Sequence, residues 1–145
     1  MNLMESNIFT RVAQQITLRN LRILLGVLGL VPIFLGTMGI LSGLDRLIPD
    51  TEFSSAADGQ YRYLSAIYLG FGCLIIWIQT RLQTEVVLFR ILMAMVLVAG
   101  IARALPLFDQ ELPSFRILVA LAFELIAPPL LVLWHYKVTG SAGTA

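Results

Sequence analysis

Glu124 is the single acid inside a long apolar run, Phe115 to Tyr136, which reads FRILVALAFELIAPPLLVLWHY. Nine residues from Phe115, at about 1.5 Å of rise each, put it roughly 13 Å along a helix. That is close to the centre of a hydrocarbon layer about 30 Å thick. Pro128 and Pro129 follow four and five residues later. Neither has an N–H, so the carbonyls of Glu124 and Leu125 lose their helical donors. A carboxylate and two freed carbonyls thus share a stretch that lipid cannot hydrogen-bond. The chemistry open to such a site is to accept a proton or hold a small ligand.

A carboxylate at the middle of a spanning helix costs about 2.5–3.5 kcal/mol on insertion scales, so Glu124 is expected to face other helices and find a partner. Arg103, near the end of the preceding apolar run, is the first choice. If the two helices run in opposite directions, about 10 Å of helix axis separates the two residues. Two side chains leaning together, or one water, close that gap. Arg103 then reaches inward, against the usual habit of arginine to reach for the interface. Tyr68 lies at a similar depth in the second run, with a hydroxyl to donate. Ser65 and Arg62 would carry the network outward. Two readings follow. Glu124, Arg103, Tyr68, Ser65 and Arg62 either hold helices in register, or line a pocket open to the outer side for a small ligand or a proton.

Other chemistries find little support. His135 is the only histidine, set between Trp134 and Tyr136, and reads as part of an aromatic belt at the membrane surface. One histidine cannot supply two haem ligands, and no metal-ligand spacing is visible. No catalytic group, cofactor or metal is therefore expected. The acidic loop from Asp45 to Gln60 fits no EF-hand. Cys73 is alone, inside an apolar run, and reads as small buried filler. A net charge of +1 gives no footprint for nucleic acid.

The elements that must position these residues follow from composition. Of 145 residues, 58% are apolar and 13% charged, against about 45–50% and about 25% in a soluble domain. The mean hydropathy is +0.85. The excess is gathered in four runs, about 21–44, 61–79, 86–105 and 115–136, each fit to cross a bilayer. The fold class predicted is all-α, a transmembrane four-helix bundle running up-down-up-down within a membrane domain 21–137. Residues 1–20 are polar and mixed, with Ile8, Val12 and Ile16 at four-residue spacing. They form a short amphipathic helix on the membrane surface or an extension of the first span. Residues 138–145 read as a flexible tail.

In the first span Gly29, Gly36 and Gly43 are seven apart and share a face. Glycines let helix backbones approach closely where lipid removes the hydrophobic drive to associate. That face serves the bundle or a second copy of the chain, and the bundle is favoured. Pro32 is expected to bend this helix. Arg11, Arg19, Arg22, Arg81, Arg90 and Lys137 fall on the N-terminal side, against Arg46, Arg62, Arg103 and Arg116 on the other. The excess of basic residues predicts both termini inside, in a bacterial cytoplasmic membrane or its equivalent.

The chain resembles the bacterial domain of unknown function 4345 family of four-helix membrane proteins. The resemblance rests on Arg62 with Ser65, Tyr68, Gly70 and Gly72 opening the second helix, on Gly100 and Arg103 ending the third, on the Asp109 to Pro113 loop, and on Glu124 in the fourth. It covers roughly Arg22 to Tyr136 and implies the four-helix architecture and these positions, with no activity attached. Together the two lines of reasoning predict a small non-enzymatic membrane protein, either an accessory subunit of a larger membrane complex or a stand-alone bundle in the lipid bilayer with an outward-facing polar pocket. The alternative is a carrier or enzyme for a lipid-soluble molecule or proton, with Glu124 as proton acceptor and Arg103 as anion anchor.

Overall fold

A computed structural model describes the backbone of residues 3–49, 51–108 and 113–140, and the side chains of 12–45, 47–49, 51–108 and 113–139. Four α-helices follow in order: α1 Leu3–Ser42, α2 Ser55–Ile78, α3 Val86–Ala104 and α4 Phe115–Gly140. Short 3-10 turns lie at Gly43–Arg46, Gln79–Arg81 and Leu105–Phe108, and no strand occurs among the described residues. All four helices are long and apolar enough to cross a membrane, over Val12–Asp45, Ser55–Arg81, Val86–Phe108 and Phe115–Thr139. Only 17% to 28% of the residues in their most apolar windows are buried by the chain itself. Apolar surface on that scale is what lipid, rather than water, would cover.

From Leu3 the N-terminal segment runs into the first span without a break. α1 is continuous from Leu3 through Pro32 to Ser42, with neither glycine nor proline before Gly26 to interrupt it. The Ile8 end of the proposed amphipathic stripe lies outside the described side chains. At its other end Val12 and Ile16 are about half exposed, and burial falls instead on Leu18, Leu21 and Leu25. α2 begins at Ser55, six residues before the expected start at Tyr61. Ser54 is the cause: its Oγ accepts the Ala57 N–H at 3.2 Å and caps the new helix end. At the other terminus α4 passes through both prolines and takes in Val138 to Gly140. The rest of the predicted tail lies outside the described residues, as do Asp109 and Glu111.

The chain packs as two compact units, Arg22–Arg81 and Met1–Leu21 with Leu82–Ala145. In the first, the glycine face of α1 lies against α2. A Cβ at Gly36 would sit 2.6 Å from the Leu69 nitrogen and 2.7 Å from the Ser65 carbonyl oxygen. Only a residue without a side chain permits that approach. Gly43 ends α1 with φ +61°, the left-handed conformation that closes many helices. Cys73 is exposed, contrary to the buried filler expected of it. Its neighbour Gly72 turns to α1, where a Cβ would lie 2.9 Å from the Gly29 carbonyl, so Cys73 points about 100° away from the packed face.

In the second unit α3 packs along α4. Leu82, Phe89, Leu92, Met93, Leu121, Leu131 and Val138 are buried. The Gln14 side-chain amide donates to the Val138 carbonyl, tying the start of α1 to the end of α4.

Candidate functional site

Gly100 sets the geometry around Glu124. A Cβ there would lie 3.0 Å from the Glu124 Cβ and 3.3 Å from the Glu124 carbonyl carbon. The missing side chain lets α3 come against α4 at this level. Arg103 stands three residues further, on the same side of α3, and its Nη2 is 3.1 Å from Glu124 Oε1. The structure thus brings Arg103 and Glu124 together directly across the two helices. Arg103 is 45% exposed and Glu124 17%, so the pair is open at the arginine end and closed at the carboxylate. Glu124 Oε2 is buried and finds no hydrogen-bond partner among the described residues.

Arg62 and Ser65 have partners inside their own unit. Arg62 Nε donates to Asp58 Oδ2 at 2.7 Å. Its Nη1 donates to the carbonyls of Ile40 and, at 3.3 Å, Leu41. Asp58 Oδ1 accepts the Leu44 N–H at 2.9 Å. Together they close the C-terminal end of α1, where helix carbonyls lack donors and a cation is favoured. The sequence alone places Asp58 in the acidic loop from Asp45 to Gln60. The signal left unused is the four-residue spacing to Arg62, which makes a helical ion pair once α2 starts early. Ser65 is buried, and its hydroxyl donates to the Tyr61 carbonyl at 2.8 Å. Tyr68 lies on α2 with 39% of its surface exposed.

His135 departs from expectation. It is fully buried rather than part of a surface belt. Its Nε2 lies 2.7 Å from the Leu82 carbonyl oxygen, and a carbonyl can only accept, so the ring proton is on Nε2. The imidazole tilts against Phe89 at 4.5 Å between ring centroids, and Nδ1 is buried without a partner among the described residues. The sequence held the signal. Leu121, Pro128, Leu131, His135 and Val138 form one buried stripe at helical spacing. The identity of the neighbours, Trp134 and Tyr136, outweighed the position. No group of three or more His, Cys, Asp or Glu that could hold a metal ion occurs among the described residues.

Four span-length apolar helices, with a glycine-enabled arginine–carboxylate contact between the last two, define a polytopic α-helical membrane protein. Within that class the chain belongs to the family described as domain of unknown function DUF4345, whose match covers residues 20–135. No curated protein matches the chain, and no solved structure does.

Proposed function

We propose that the protein is a non-enzymatic membrane subunit whose intramembrane polar residues join its helices, serving as an accessory or structural component of a larger membrane complex. The observation that carries this reading is the Arg103–Glu124 contact at 3.1 Å, seated on Gly100. The ion pair joins α3 to α4 and uses up the charge that catalysis or transport would need. Arg62 is committed in the same way, to Asp58 and the end of α1. The membrane we propose is a bacterial cytoplasmic membrane with both termini inside, from the distribution of Lys and Arg.

One observation supports a second reading, a carrier or enzyme for a lipid-soluble molecule or proton. Glu124 Oε2 is a buried acceptor without a donor, and buried acceptors are normally satisfied. Purification of the tagged chain in a mild detergent separates the two. An accessory subunit elutes with larger partners, and Glu124→Gln weakens that association. A chain that elutes alone, carrying a small molecule that Glu124→Gln releases, overturns the first reading in favour of the second.

A further inference from the structure

Arg90 stands at a groove that the Glu124 site does not use. The groove has a volume of about 240 Å³ and runs between α3 and α4, with Arg90, Met93, Ala94 and Leu97 on one wall and Pro128 and Val132 among the residues on the other. Its origin is the small or rigid side chains that meet there, alanine on α3 and proline on α4. From Arg90 to Leu97 it follows about 10 Å of helix axis. Apart from Arg90 its lining is apolar.

Arg90 itself is exposed, four residues into α3 and so about 6 Å inside the span. No hydrogen bond, ion pair or ring contact engages it among the described residues. An arginine in that position is costly unless its head reaches an anion or water, and its side chain is long enough to reach the headgroup layer. Below it lies an apolar channel that neither water nor a free inorganic anion would fill. The ligand that satisfies both ends carries a phosphate at the head and hydrocarbon beneath it.

From this geometry we infer that the Arg90 groove is a specific site for one anionic phospholipid, with the phosphodiester on the guanidinium and an acyl chain along Ala94, Leu97 and Pro128. The net-negative class is favoured because Arg19 adds positive charge to the same unit at the same side of the span, and basic groups near the surface select anionic lipid. A zwitterionic headgroup brings its own cation into that field. The site stands independently of Glu124 and of the reading given to it above.

The test is native mass spectrometry of the full chain in detergent, with phosphatidylglycerol and phosphatidylcholine of matched acyl chains as probes. One phosphatidylglycerol is expected to be retained in preference to phosphatidylcholine. Arg90→Gln is expected to weaken retention about fivefold, the worth of one basic group at an anionic surface. Ala94→Phe fills the channel and lowers retention with the charge intact, whereas Arg116→Gln, near the other end of α4, leaves it unchanged. Phosphatidylglycerol should also raise the Tm of the unsubstituted protein where phosphatidylcholine does not, a readout that stands even if a variant fails to fold. Equal retention of the two lipids, no retained lipid, or folded Arg90→Gln and Ala94→Phe variants that hold lipid as the parent does would overturn the site.

Discussion

At the scale of the residue, the two members of the central ion pair are unequal. Arg103 is nearly half exposed and Glu124 mostly covered. Losing Glu124 leaves an arginine free to turn outward; losing Arg103 strands a buried carboxylate, the worse outcome for a charge pair. Arg103→Gln is therefore expected to cost more than Glu124→Gln, about 1–2 kcal/mol on the scale of polar contacts between membrane helices. Reversible unfolding in mixed detergent micelles measures both, and an equal or reversed order would remove the argument. His135→Phe poses a sharper question. A phenyl ring keeps the contact with Phe89, yet leaves the Leu82 carbonyl without the donor that His135 supplies. A loss of about 1 kcal/mol is expected in the same unfolding assay, and a stabilised variant would mean that burying the unpartnered Nδ1 costs more than the hydrogen bond contributes. The candidate site was half legible beforehand. Glu124 and Arg103 were found because a charge in an apolar run has few ways to be satisfied. His135 was missed because residue type suggested a surface belt while helical position, the better guide, pointed inward. Arg62 was found as a residue, but its partners on α1 depend on where α2 begins, which composition alone did not give.

At the scale of the element, glycines divide into those a neighbour needs small and those nothing needs. A Cβ at Gly36 would strike the backbone of α2 at 2.6 Å, whereas around Gly70 there is nothing within 4 Å. Gly70→Ala is thus expected to gain up to about 1 kcal/mol from helix propensity alone. Gly36→Ala should lose more than that gain, because backbone cannot yield as a flexible side chain can, and overpacking typically costs about 1–3 kcal/mol. Matched thermal melts of the two variants decide it: a Gly36→Ala protein as stable as Gly70→Ala would mean that α1 and α2 are not held this close. The four helices themselves were readable from hydropathy, since length and apolar content set what can span a bilayer. Their ends were less so. Ser54 caps α2 through a single side-chain hydrogen bond, inside a stretch whose acids and small residues look like loop. The join between residues 1–20 and the first span was open in the sequence because the two readings differ only in whether the helix is interrupted, and no glycine or proline marks a break there.

For the whole molecule, orientation turns on the distribution of charge. Counted by sequence, basic residues favour the N-terminal side by six to four. Two of the four on the other side are occupied, however: Arg62 by Asp58 and the α1 carbonyls, Arg103 by Glu124. On the N-terminal side Arg81 is engaged as well, over the Trp77 ring at 4.3 Å, so the proposal of an inside N-terminus rests on the count itself. In the orientation proposed above, four spans put both ends inside and the turn around Gln83 with them. In a Cys73→Ser background, Thr51→Cys is expected to react with a membrane-impermeant maleimide on intact cells, and Gln83→Cys only after the cells are opened. Both positions are exposed on the protein itself, so the membrane alone decides the difference. Labelling of Gln83→Cys on intact cells would reverse the orientation, and it would put the open, arginine end of the Arg103–Glu124 pair on the cytoplasmic face.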